Sequence, residues 1–419
     1  MNPELRFKDQ DGKDFPDWEE NKFNEISIFR RGSFPQPYGL PEWYDEHNGQ
    51  PFIQVADVSN NMQVNEDTNQ HISKLAESKS VFVPKGSIII TIQGTIVRVA
   101  ITPYDAYVDR TLLIIQSNKI EMNKEYQIYA LYNIFNEEKA KADGGILKTI
   151  TKETLKNFII PIPILEEQEK VAKLLSDIDK KIESQAILVE KLKNTKEAML
   201  VKMFPQGDSK VPEIRFDGFS GDWEEKKLGE ICQTITDGAH NSPKESKYGR
   251  YMPSVKDMTH NGFIFDECKI ISNEDYLKLE KQGCKPQFND ILISKDGTIL
   301  TYSFVVKEET DYVILSSIAI IRPFKTINSD FLVQFFKRKS FIKETVDSYS
   351  RGNALKRIVL KDFKQINVIA PPTKDEQEKI GQFLANLDKE IEINQKKYEK
   401  LCDVKKALLH KMFPTKGDE

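Results

Sequence analysis

Lysines and arginines interleaved with aromatic residues can neutralise phosphates and seat a protein on a duplex. This 419-residue chain has two such stretches. Lys244, Lys247, Arg250 and Lys256 alternate with Tyr248 and Tyr251, while Arg351, Lys356, Arg357, Lys361 and Lys364 surround a single acid, Asp362. Two polar tips with glycine, Gln93-Gly94-Thr95 and Lys295-Asp296-Gly297-Thr298, can approach a groove closely. Base reading would need Arg, Lys, Asn or Gln aimed at base edges. Taken alone, each patch also reads as a solvated strand edge. The formal net charge of −4 argues against a general polyanion coat. It leaves local binding open, because the field follows the placement of charges and not their sum.

Catalytic constellations are missing from the sequence. No phosphate loop of the G-x-x-x-x-G-K-[ST] type occurs, nor a G-x-G-x-x-G following a strand, so no nucleotide or methyl-donor cofactor is indicated. His47, His71, His240, His260 and His410 form no metal-ligand cluster. Asp17 with Glu20, Asn21 and Lys22 superficially suggests a nuclease carboxylate set, but the spacing is too short for two strands to converge on a metal. A polar strand entrance is the better reading. Cys232, Cys268, Cys284 and Cys402 make no C-x-x-C pair and read as reduced, structural thiols of a cytoplasmic protein. The first residues carry no basic-then-apolar signal, and no run approaches the roughly 20 apolar residues of a membrane span.

The elements that must position these patches come in duplicate. Glu167–Pro205 recurs as Glu376–Pro414, in phase and without a gap. At alternating steps of four and three, copy one reads Val171, Leu175, Ile178, Ile182, Gln185, Val189, Leu192, Lys196, Met199, Met203. Copy two reads Ile380, Leu384, Leu387, Ile391, Asn394, Tyr398, Leu401, Lys405, Leu408, Met412. This heptad seam predicts two long helices that partner each other. Both helices end at Met-Phe-Pro, where proline cannot continue the ladder. Thr373 to Glu376 fits a capping box at the second helix start. Gln185 and Asn394 interrupt the seam with amides, as a register lock or as partly hydrated breaks.

The repeat reaches beyond the helices. Pro3-Glu4-Leu5-Arg6-Phe7 returns as Pro212-Glu213-Ile214-Arg215-Phe216, and Asp17-Trp18-Glu19-Glu20 as Asp222-Trp223-Glu224-Glu225. In the first body, Pro51–Val58, Val81–Val83, Ser87–Ile92 and Leu112–Ile115 read as strands, Glu125–Lys141 as a helix stopped at Asp143-Gly144-Gly145, and Leu147–Pro163 as strand. In the second, Ile291–Ser294 matches Ile88–Thr91, Phe331–Phe341 replaces the helix, and Gly352–Ile369 the last strands. Arg30–Gly49 shows no recognisable counterpart in Thr236–Arg250. The expected fold is α+β: two pseudo-twofold-related domains separated by two long antiparallel coiled-coil helices of roughly 55 Å. The expected segments are residues 1–163 and 206–372 for the domains, 164–205 and 373–414 for the helices, and 415–419 for a tail.

Several motifs carry a family resemblance. They are Val211–Glu225, the Asp237-Gly-Ala-His-Asn-Ser-Pro loop, Asn289-Asp-Ile-Leu-Ile-Ser-Lys-Asp-Gly, and the paired helix starts Pro161-Ile-Pro-Ile-Leu-Glu-Glu-Gln-Glu-Lys-Val and Pro371-Pro-Thr-Lys-Asp-Glu-Gln-Glu-Lys-Ile. Over its whole length the chain resembles the specificity subunit of type I restriction-modification systems. The resemblance implies two target-recognition domains, each reading half of a bipartite site in double-stranded DNA, and helices that act as spacer and docking surface for two modification subunits. Those partners would carry S-adenosylmethionine and adenine methylation. Restriction subunits would add ATP- and Mg-dependent translocation and cleavage, leaving this chain non-catalytic. On matched loops, the candidate DNA contacts are Gln93, Thr95 and Arg98 in the first domain and His240, Lys256, Lys295 and Thr298 in the second. A two-domain coiled-coil scaffold that binds proteins and not DNA is the alternative.

Overall fold

The computed structural model describes residues 2–93, 98–141, 152–349 and 357–414. Gly94-Thr95 of the first tip, the Asp143-Gly144-Gly145 stop, the start of the 147–163 segment, Arg351, Lys356 and the tail at 415–419 lie outside these residues. The chain divides into two compact units, Met1–Gln185 with Lys397–Glu419, and Ala186–Lys396. Each unit thus holds one α+β body and a half of each long helix.

The first body is built on a four-stranded antiparallel sheet in the order Ser27–Arg31, Leu112–Asn118, Ile88–Thr91, Val99–Ile101. Continuous β-branched runs such as Ile88-Ile89-Ile90-Thr91 suit this sheet because both faces are covered; all four residues are buried. A second sheet, ordered His71–Ile72, Gln50–Ile53, Ala106–Val108, Val81–Val83, contains one parallel pairing, Phe52 against Tyr107. The expected strand at Pro51–Val58 stops at Ile53 and turns through a 3₁₀ turn at Val55–Asp57. Its cause is the buried Asp57, whose carboxylate accepts the Gln54 amide at 2.8 Å and the Asn69 amide at 2.9 Å. The described part of Leu147–Pro163 is a short helix, Lys152–Lys156, and then the strand Ile159–Ile162. Leu155 is fully buried there, which a turn of helix achieves and an exposed edge strand would not.

The second body repeats the main sheet as Cys232–Asp237, Ile318–Pro323, Ile291–Ser294, Ser303–Val305. The helix expected at Phe331–Phe341 is two: Ser329–Phe336, capped by the Asn328 carboxamide accepting the Phe331 amide, and Lys339–Tyr349. The described part of the Gly352–Ile369 segment, read as strands, holds a short helix, Leu360–Phe363, before the strand Asn367–Ala370. In each body a two-stranded clasp joins the entry strand to the strand before the long helix: Glu19–Lys22 with Ile159–Ile162, and Glu224–Lys227 with Asn367–Ala370.

The long helices run Leu165–Lys202 and Lys374–Met412. At 1.5 Å per residue each is about 57 Å long. Every position of the heptad seam is buried or half-buried. Within each unit the helix halves are antiparallel: in the second, Lys193 reaches Gln395 while Lys196 reaches Asp388. The two seam lysines are therefore not defects. Lys196 pairs with Asp388, and Lys405 pairs with Asp179 in the equivalent place of the first unit. Each aspartate also holds its body: Asp179 accepts the Tyr129 hydroxyl at 2.7 Å, and Asp388 accepts Gln334 at 2.9 Å and Lys337 at 3.1 Å. Asn394 donates to the Glu390 carbonyl within its own helix at 2.8 Å.

Both helix starts are bolted to their bodies. Arg6 donates to both oxygens of the buried Glu167, at 3.1 and 2.8 Å. Arg215 does the same to Glu376 at 2.8 and 2.9 Å. The carboxylate that reads as a capping-box partner is thus committed to a tertiary pair, a bidentate geometry stronger than a cap bond. The next residue clips the body's helix: Gln168 accepts the amide of Asn123, and Gln377 that of Asn328, both at 2.9 Å. The Met-Phe-Pro ends anchor as well as stop. Phe204 packs on Phe331 and Trp223 in the second core, and Phe413 on Tyr126 and Trp18 in the first.

Candidate nucleic-acid interface

The loops that could meet DNA leave the main sheet of each body at one edge, and their first residues are superimposable bond for bond. Gly32 donates to the Leu112 carbonyl at 3.0 Å and Ser33 to Val108 at 3.1 Å. Gly238 donates to Ile318 at 3.3 Å and Ala239 to Ile314 at 2.8 Å. A Cβ on Gly32 would lie 2.2 Å from the Val108 oxygen, and one on Gly238 would lie 2.0 Å from the Ile314 oxygen, so only glycine allows this approach. The absence of a counterpart for Arg30–Gly49 is therefore corrected. Arg31-Gly32-Ser33-Phe34 occupies the place of Asp237-Gly238-Ala239-His240. The equivalence is carried by backbone bonds, and only the glycine survives in the sequence.

On this shared frame the side chains differ. Asp237 is buried and forms an ion pair with the ammonium of Lys295 at 3.3 Å. Lys295, itself 7% exposed, also lies 3.3 Å from Asp296. His240 is exposed, with Nε2 3.2 Å from the other oxygen of Asp237. Lys295 thus ties the Asp237–Pro243 loop to the Lys295–Thr298 tip, and its charge is spent internally instead of facing solvent. Thr298 is exposed at the tip, and its carbonyl accepts the Ser294 hydroxyl at 2.6 Å. Lys256 is exposed on a 3₁₀ turn held by Asp257, away from that cluster in sequence and not bonded to it.

In the first body Ile92 stands where Lys295 does: its amide donates to Thr111 as that of Lys295 donates to Ser317, each at 3.0 Å. Gln93 is exposed at the start of the tip. The Arg98 guanidinium is committed to the neighbouring loop, donating to Asn60 at 2.8 Å and to the Val58 carbonyl. It braces that loop against the sheet.

The basic stretches separate. Lys244, Lys247, Tyr248 and Arg250 stay together on an exposed loop, with Tyr248 77% exposed and Lys247 5.6 Å from its ring. The backbone of Arg357 bridges that of Asp296 at the second tip, whereas the Lys364 carbonyl accepts the Gly229 amide at the clasp side of the body. Burial pushes the Cys232 thiol up to about 12 and that of Cys268 up to about 11, so neither is a nucleophile. No described helix is long and apolar enough to cross a membrane.

The family model described as "Type I restriction modification DNA specificity domain" matches residues 16–194 and again 220–402. The chain belongs to this family. Both matched segments take in one α+β body and most of the helix that follows it, so the family's unit is the repeat found here. A "Type I restriction enzyme MjaVIII specificity subunit" of Methanocaldococcus jannaschii is 25% identical, covering 99% of this chain and 96% of its own. The "Type I restriction enzyme EcoBI specificity subunit" of Escherichia coli is 22% identical over 83% of this chain and 76% of its own. Among solved structures, a crystal structure of a type I restriction-modification system S subunit from M. genitalium shares the fold. It has a TM-score of 0.64, 17% identity and full coverage of both chains.

Proposed function

We propose that this chain is the DNA-reading subunit of a type I restriction-modification complex, with each α+β body reading one block of a split site. The observation that carries the reading is the duplicated frame with exchanged side chains. Gly32 and Gly238 make the same bonds, yet the seats beside them hold Arg31, Ile92 and Phe34 in one body and Asp237, Lys295 and His240 in the other. A fixed frame with variable fingertips is what two different half-sites require. A protein-binding scaffold gives no reason to keep the frame while exchanging its tips.

The complex contains methyltransferase and restriction subunits, and this chain supplies the specificity. Two modification subunits dock on the outward faces of the long helices. Their S-adenosylmethionine, and the ATP and Mg of the restriction subunits, supply the chemistry. Gln93, Thr95, His240, Lys256 and Thr298 are offered to DNA, with Arg98 and Lys295 holding loops in place. The lengths of the two helices set the gap between the blocks.

The test is to produce the chain with its modification subunits and sequence the methylated bases of the host genome. The reading predicts methylated adenines in one motif of two short blocks with a constant gap. Methylation without a split motif overturns it.

A further inference from the structure

The second body sets Lys295, Asp237 and His240 side by side where the first body has Ile92, Arg31 and Phe34. Asp237 is held in place by three constraints. Its strand is paired, with Asp237 opposite Ala319; the following Gly238 is pressed against the Ile314 carbonyl; and the buried Lys295 ammonium neutralises its charge at 3.3 Å. One oxygen of this carboxylate faces Lys295, and the other lies 3.2 Å from His240 Nε2. The neutral imidazole carries one proton. With that proton on Nε2 and donated to Asp237, Nδ1 is an acceptor. Nδ1 bonds to no described residue, and the side chain is 76% exposed. The equivalent seat in the first body is Phe34, buried among Tyr38, Tyr44 and Phe52.

We propose that His240 is a specificity-determining residue of the second half-site: Asp237, pinned by Lys295, fixes the imidazole so that Nδ1 accepts a hydrogen bond from the exocyclic amino group of a base. In the major groove that group is N6 of adenine or N4 of cytosine; guanine and thymine present acceptors at the corresponding place and are rejected. The inference rests on the DNA-reading function proposed above and assigns one atom of the chain to one class of base edge. It also gives Lys295 its role. As a positioning residue it pairs with Asp237 and holds it in place without touching DNA.

The test uses the complex with its modification subunits, with wild type, His240→Ala, His240→Gln and His240→Asn compared by sequencing of methylated bases and by binding to duplexes varied at each position. His240 is exposed, so these variants fold. Glutamine keeps a donor for Asp237 and has no atom at the place of Nδ1; asparagine places an amide near Nδ1. At one position of the second block, which wild type restricts to A or C, alanine and glutamine should lose discrimination by on the order of tenfold. Asparagine should retain part of it, and the first block should stay unchanged. A motif unaltered by His240→Ala overturns the proposal. So does a uniform loss of affinity for all sequences with a shallower salt dependence, which marks a phosphate contact. If wild type itself shows no split motif, the DNA-reading function has failed, a result separate from either.

Discussion

Asp388 is shared by three partners in the second unit, and its removal should cost far more than removal of its partner Lys196. The carboxylate serves two ammonium groups at once: Lys196 from the opposing helix and Lys337 from the body, with Gln334 as a further donor at 2.9 Å. The lysine side chains are 12% and 14% exposed. Burial alone would raise the carboxyl's pKa, but Lys337 and Lys196 hold it below the usual carboxylate range. Lys196 is itself shifted downward, first by burial and then by Lys337. Asp388→Asn keeps the shape and leaves two buried cations facing each other, so a loss of about 3–5 kcal/mol is expected. Lys196→Met removes one cation of similar volume while Asp388 keeps Lys337 and Gln334, so a change of about 1 kcal/mol or less is expected. Urea denaturation followed by circular dichroism measures both. Peptide-resolved hydrogen exchange should place the loss in residues 186–204 and 374–396. A Lys196→Met cost equal to or above that of Asp388→Asn would refute the reasoning.

Three further outcomes follow from the same contacts. His260 is pulled below its ordinary 6.5 by burial first and then by Lys337 and Lys196, so its stabilising contribution is complete above about 6.5 and lost as pH falls through the lower folded value. His260→Gln should flatten the stability–pH curve in that window, and an unchanged curve would contradict the assignment. Phe413→Ala should destabilise the first unit by about 3–5 kcal/mol, and Phe204→Ala the second, as read by urea midpoints with hydrogen exchange; both rings are at most 2% exposed. Inserting one heptad into both long helices should lengthen the gap of the methylated motif while both blocks stay the same. An altered block with an unchanged gap would contradict the ruler.

The long helices were legible because a seam with a period of 3.5 residues leaves a strong trace and occurs twice. Lys196 and Lys405 stand out in the sequence only as interruptions, because their partners, Asp388 and Asp179, lie on another element whose antiparallel register is unknown until the helices pack. A signal was present: these aspartates and lysines recur at the same spacing as the rest of the repeat, as do Arg6 with Arg215 and Glu167 with Glu376. Charged residues repeated alongside apolar ones mark paired burial. The loops were less legible for a different reason. Gly32 and Gly238 are held by backbone bonds to a neighbouring strand, and such bonds constrain one glycine while leaving its neighbours free to diverge. Lys295 reads as a groove contact by type, yet it lies beside Asp237, 58 residues earlier in the chain. Distance along the chain hid the pairing.

The central claim, one body for each half of a split DNA site, is tested most directly by a chimaera. Residues 226–370 are replaced by the corresponding segment of a specificity subunit with a known different motif, and methylated bases are sequenced from cells producing the chimaera with the modification subunits. The account predicts that one block changes to the donor's while the other block and the gap persist. A chimaera that methylates with both blocks altered, or with neither altered, would contradict it.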